Sequence, residues 1–166
     1  VAPTLHIASF VLLGNTELTN YCAKIIADKI KDIDFDYIVV PEAKVLPMVQ
    51  SVCTILGDRD FVVFRKGVKA YMVNPIETSV KSITTLAVQK MVVDGVDADK
   101  IRGKKVLLMD DVVSTGGTFH AMEKLLADLD CKIVGYAAAL REGTDFSSDN
   151  LYYIQDLPVF VGALGE

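Results

Sequence analysis

Residues 106–118, VLLMDDVVSTGGT, set two adjacent carboxylates between an apolar run and a loop of hydroxylated residues and glycines. The run at 106–109 reads as a short buried parallel strand. Asp110 and Asp111 then fall at its carboxyl end, where open α/β sheets place their ligands. Val113, Ser114, Thr115, Gly116, Gly117 and Thr118 lead toward an amphipathic helix. Such a loop aims backbone N–H groups and hydroxyls at one anion, and the helix N-terminus adds favourable potential. Glycine lets the backbone approach the anion closely and take positive φ where needed. A carboxylate accepts hydrogen bonds from two neighbouring hydroxyls, so the aspartates suit a vicinal diol. Diol acceptors beside a phosphate cradle imply a site for a ribose 5-phosphate.

The elements around this stretch alternate. Residues 16–33 carry Tyr21, Ile25, Ile26 and Ile30 at helical spacing, with Thr16 and Thr19 as candidate N-caps. A strand is expected at 35–40, a helix at 44–56 ending at Gly57, and a second strand at 61–64. Residues 70–80, with Asn74-Pro75, read as irregular and mobile, and 82–86 with 89–93 as a hairpin. The acidic stretch 94–99 lacks calcium-loop spacing and reads as a solvated turn into 97–102. A helix at 117–129 and strands at 132–140 and 151–154 complete a βαβ order that predicts a parallel sheet with helices on both faces.

Composition bounds the rest. The chain has 166 residues, 51% hydrophobic and 23% charged, which suits one globular domain over 1–166. Its net charge of −5 argues against nucleic acid as a partner. No apolar run is long enough to cross a membrane. Cys22, Cys53 and Cys131 are scattered and odd in number, as expected of thiols in a reducing, cytoplasmic setting. His6 and His120 lack supporting ligand motifs and read as structural or exposed. A Walker phosphate loop and G-x-G-x-x-G are both absent.

The thirteen residues 106–118 resemble the phosphoribosyl pyrophosphate (PRPP) signature of the type I phosphoribosyltransferases: hydrophobics, an acidic pair, two hydrophobics, then Ser/Ala-Thr-Gly-Gly-Thr. The resemblance implies a central, mostly parallel sheet flanked by helices, with a flexible loop or hairpin and a small hood. Its core would span about 36–140, the hood coming from the N-terminal segment, from 150–166, or from both. It implies transfer of ribose 5-phosphate from PRPP to a nucleobase with release of pyrophosphate, and the order of motifs favours adenine. A PRPP-sensing regulator of the same fold, or a transferase for another base, is the alternative. A homodimer is expected.

Site residues follow by resemblance. Asp110 and Asp111 would hold the ribose, and Asp111 would accept the base's proton. Residues 113–118 would hold the 5-phosphate. Val40-Pro41-Glu42-Ala43-Lys44 stands where adenine-type members carry their pyrophosphate loop, so Ala43 and Lys44 would bind that anion, with a non-proline cis peptide joining them. Arg65, Lys66 and Lys69 match an Arg-Lys-x-x-Lys segment that supplies cations to phosphate. Residues 70–92 correspond to the closing loop, where Glu77 is the candidate catalytic carboxylate. The implied cofactor is Mg²⁺, held mainly by PRPP and water, near Asp110.

Overall fold

The computed structural model describes residues 5–7, 10–81 and 88–161. In chain order the elements are β1 (Leu5–Ile7), α1 (Thr16–Ile30), β2 (Tyr37–Pro41), α2 (Leu46–Ile55), β3 (Phe61–Phe64), β4 (Ile76–Lys81), β5 (Val88–Val93) and α3 (Gly95–Ile101). They are followed by β6 (Lys105–Val113), α4 (Gly117–Ala127), β7 (Lys132–Glu142), β8 (Leu151–Leu157) and β9 (Val159–Val161). Five strands form one sheet in the order β3-β2-β6-β7-β8, and every neighbouring pair is parallel. All their carboxyl ends therefore lie along one edge.

Strand periodicity explains why both faces are covered. Successive side chains point to opposite faces, so a strand buried on both sides reads as continuous hydrophobics. Ile38, Val40, Leu107, Met109, Ala137 and Ala139 pack with α1 and α2. Val39, Val106, Leu108 and Ala138 pack on the other face with α3, α4 and the β4–β5 hairpin. The alanines of β7 leave room for the flanking layers to sit close to the sheet.

Several boundaries differ from expectation. β6 does not stop at Met109 but continues through both aspartates to Val113, because β7 pairs with it as far as Val113↔Arg141. Asn15, not Thr16 or Thr19, caps α1, accepting from the Leu18 amide at 3.0 Å. The Thr19 hydroxyl instead donates to the Leu12 carbonyl at 3.0 Å and pins the segment before the helix. Residues 94–99 form the start of α3, not merely a turn, with Asp94 as its N-cap. The hairpin's first strand is Ile76–Lys81, paired antiparallel with Val88–Val93, where irregular chain was expected. The strand expected at 82–86 lies outside the described residues. β1 and β9 pair antiparallel, Leu5↔Val161 to Ile7↔Val159, so the expected N-terminal and C-terminal hood segments meet in one ribbon.

The loop after β3 is held at both ends. Arg65 and Val92 exchange backbone hydrogen bonds at 2.7 and 2.8 Å. Farther on, Asp94 accepts from the amides of Val73 (3.1 Å) and Val96 (3.3 Å). Gly95 lies against the same loop: a Cβ there would stand 2.5 Å from the Val73 carbonyl oxygen. Asp94 thus serves as helix cap and loop clamp together. Asp94→Ala should cost about 1–2 kcal/mol, the range of a lost N-cap. Urea denaturation measures this, and the midpoint should fall with no change in slope.

Candidate functional site

A cavity of about 660 Å³ opens at the carboxyl edge of the sheet. A smaller one of about 120 Å³ adjoins it, formed by Asp110 and residues 112–119. Asp110, Val112, Ser114 and Thr118 line both, so the two are compartments of one site. Asp110 and Asp111 alternate along β6, and only Asp110 faces the smaller compartment. Asp110 Oδ1 accepts from the Asp111 amide at 2.8 Å. Burial, and then the neighbouring Asp111 carboxylate, push the Asp110 carboxyl well above the ordinary carboxylate range; the Asp111 amide and Lys66 pull the other way.

The smaller compartment is the turn between β6 and α4. Gly116 is the residue before α4 and adopts φ +76°. Its Cα faces the Phe146 ring, not the open compartment: a Cβ would stand 2.2 Å from Phe146 Cδ2. Glycine is therefore required here by left-handed backbone, one of the two reasons expected of these glycines, and also by packing on Phe146. Phe146 is itself wedged between Phe119 and Tyr136, with ring centroids 5.3 Å apart in each pair. The Tyr136 hydroxyl donates to Glu123 Oε1 at 2.7 Å, and the exposed His120 meets the other oxygen of that carboxylate at 3.0 Å. His120 is thus peripheral, as expected.

At the ends of β2 and β3 the polar groups organise around Glu42. Its carboxylate accepts from the Lys66 amide at 2.8 Å and from Arg65 Nη1 at 3.2 Å, and Lys69 Nζ lies 3.8 Å away. The Lys66 amide, with Arg65 and Lys69, holds the Glu42 carboxyl below its usual range against the cost of partial burial. Ala43, Lys44 and Lys66 line the large cavity. Arg65 and Lys69 do not; they stand behind Glu42 and fix it. The non-proline cis peptide joins Glu42 and Ala43, one bond earlier than expected.

Glu77 is exposed on β4 and paired with Lys90 across the hairpin, outside the cavity wall. Lys90 and the adjacent Met91, on the partner strand β5, do line the cavity. Five further lining residues escaped the motif reading: Phe10, Val11, Val112, Glu142 and Leu157. Val112 was named only as a spacer hydrophobic. Phe10 and Val11 carried one readable sign, an apolar pair just before a helix cap. Glu142 and Leu157 had none, since only the register β7–β8 sets them side by side. Among the described residues no cluster of three acidic, His or Cys side chains forms a metal cage, and no helix is long and apolar enough to cross a membrane.

The Phosphoribosyl transferase domain family matches residues 13–161. The chain belongs to this family. It is 34% identical over 125 residues to an adenine phosphoribosyltransferase of Petrotoga mobilis, covering 75% of this chain and 68% of that protein. It is 32% identical over 132 residues to a hypoxanthine/guanine phosphoribosyltransferase of Methanothermococcus okinawensis, covering 80% and 67%. The fold superposes on the crystal structure of adenine phosphoribosyltransferase from Thermoanaerobacter pseudethanolicus with a TM-score of 0.72 at 20% identity, over 88% of this chain and 84% of that one. The Trypanosoma brucei adenine phosphoribosyl transferase, solved in complex with AMP, pyrophosphate and ribose-5-phosphate, matches with a TM-score of 0.67 at 20% identity, over 86% and 65%.

Two consequences are measurable. Because Asp110 is easier to protonate folded than unfolded, its contribution favours folding below the ordinary carboxylate range. That contribution is lost as pH rises from the ordinary value toward the raised one. Asp110→Asn keeps the acceptor for the Asp111 amide and removes the charge. The variant should melt above the parent at pH 7, by roughly 2–4 °C for each kcal/mol relieved. The gap should close near pH 3 in melting curves recorded without metal or ligand. Gly116→Ala should destabilise by about 1–3 kcal/mol through its positive φ and the Phe146 clash. Phe146→Leu in the same chain should recover part of that loss in denaturation curves.

Proposed function

We propose that this protein is a purine phosphoribosyltransferase that moves ribose 5-phosphate from PRPP to adenine and releases pyrophosphate. The supporting observation is the order of groups along the sheet edge. Lys66 follows β3, Ala43-Lys44 follow β2, Asp110 and Asp111 end β6, and the turn to α4 forms an anion-sized compartment. PRPP has the same order: pyrophosphate, ribose diol, 5-phosphate. The pyrophosphate lies against Ala43, Lys44 and Lys66, the diol against Asp110 and Asp111, and the 5-phosphate on residues 113–118. Adenine is favoured because adenine phosphoribosyltransferases are prominent among the curated relatives and the similar structures.

The chemistry turns on charge. The C1–oxygen bond to pyrophosphate breaks, C1 gains cationic character, and a ring nitrogen of the base forms the new bond while losing its proton. Asp111, buried at the centre of the edge, receives that proton. Positioning the two reactants accounts for much of such a rate. The hairpin excludes water, which competes with the base for C1. Glu77 acts through Lys90, holding its ammonium toward the cavity. The β1–β9 ribbon serves as the hood, with Phe10, Val11 and Leu157 forming the base's apolar wall.

Mg²⁺ fits this donor set as a cation that arrives with its substrate. Two neighbouring carboxylates are present without a protein cage, and Mg²⁺ keeps waters and phosphate oxygens as ligands. Bound with PRPP near Asp110, it would neutralise the departing pyrophosphate. The three cysteines are free thiols, which supports a cytoplasmic setting. Exposed Val68, Tyr71, Val73 and Val96 around the loop after β3 support a homodimer.

The test is a side-by-side assay of adenine, hypoxanthine, guanine, xanthine, orotate and uracil with PRPP and Mg²⁺, read by pyrophosphate release. Adenine should turn over best. Turnover of orotate or uracil alone refutes a purine enzyme, and PRPP binding without any turnover indicates a regulator. Asp110→Asn with Asp111→Asn should weaken PRPP by several kcal/mol, two charge-assisted acceptors at about 1.5–3 kcal/mol each. Calorimetry with PRPP and Mg²⁺ measures it.

A further inference from the structure

We infer that Glu142 selects the base, accepting a hydrogen bond from the exocyclic amino group of an aminopurine. The inference rests on the transferase reading and deepens it. Glu142 is the last residue of β7 and lines the large cavity. The neighbouring strand places Leu157 directly beside it, in register. Phe10 and Val11 line the same cavity from the segment after β1, and the β1–β9 ribbon brings that segment to the Leu157 side of the edge.

Position along the edge separates Glu142 from the phosphate machinery. The cationic loops follow β3 and β2, the ribose carboxylates end β6, and β7 and β8 come after them. Pyrophosphate and ribose fill the first three positions, leaving the last two for the base. There the cavity offers apolar side chains and one carboxylate, the usual composition of a site that holds a flat ring and orients it by a few polar groups.

Of the other cavity carboxylates, Asp111 stands on β6 among the ribose positions, and two more are already engaged. Glu42 is gripped by Arg65, Lys66 and Lys69, and Asp110 accepts from the Asp111 amide. Arg141 does not serve Glu142, because it pairs with Asp156 at 2.8 Å and lies over the Tyr153 ring. Among the described residues Glu142 has no side-chain hydrogen bond or ion pair. An ionised carboxylate has acceptors only. It welcomes the amino group of adenine and repels the carbonyl oxygen that hypoxanthine carries in its place. It also repels an anionic base such as orotate.

Glu142→Gln tests this with little change of shape, since an amide both donates and accepts. The parent should prefer adenine to hypoxanthine. In the variant the ratio of kcat/KM values should fall by about tenfold or more, the scale of one charge-assisted hydrogen bond, with the KM for PRPP unchanged. Calorimetry should show AMP binding weakened and IMP binding strengthened. Glu142→Ala, which cannot donate to a carbonyl, should lose adenine turnover without gaining hypoxanthine. An unchanged ratio in folded Glu142→Gln, or an equal loss for every base, overturns the inference. Should the parent turn over no base, the transferase reading fails on its own. The AMP and IMP affinities then decide Glu142: no shift in their ratio overturns it.

Discussion

Two carboxylates on consecutive residues near the end of a central strand are the constraint around which the cavity is arranged. Burial and the adjacent Asp111 raise the cost of charge on Asp110, with the Asp111 amide as local compensation. Such a pair persists only on a rigid support. β6 supplies it: flanked by β2 and β7, with Val106, Leu107, Leu108 and Met109 fully buried, it cannot twist away to solvate its end. The cations on one side, the anion compartment on the other and the cavity above are all positioned relative to this strand.

The loops beside it divide positioning from contact. Arg65 and Lys69 bind Glu42, and Glu42 in turn holds the Lys66 amide. That network stiffens the β2 and β3 loops while leaving Lys44 and Lys66 on the cavity wall. On the far side Phe146 sets the turn at Gly116 from behind, itself locked by Phe119 and Tyr136. Each cavity-lining loop therefore has a second layer behind it, the arrangement that precise positioning demands.

How much of this was legible in the sequence depended on how local its cause was. Residues 61–64 were read without error because a four-residue apolar strand followed by a basic loop is a local signal. The aspartates and the turn into α4 were equally legible as cavity-forming residues, because the whole arrangement lies within thirteen residues. β4 was not: within 76–79 only Thr78 is fully buried, and the strand owes its extended form to pairing with β5. The packing role of Gly116 was not legible because Phe146 lies thirty residues onward, and Glu142 was missed because only the β7–β8 register gives it a place. Contacts that span the chain leave no local periodicity to read.

The strand order also governs how the molecule is made. β2 and β3 form one flank of the sheet, and β6 must be inserted beside β2 before β7 and β8 can be added. In chain order, the side of β2 that pairs with β6 has no partner until residues 105–113 follow. An open apolar strand is a template for pairing with another chain. Closing the intervening loop costs entropy before any contact repays it. The strand that carries the adjacent aspartates is therefore also the one that closes the sheet: without β6, β2 keeps an open edge and the cavity lacks its centre.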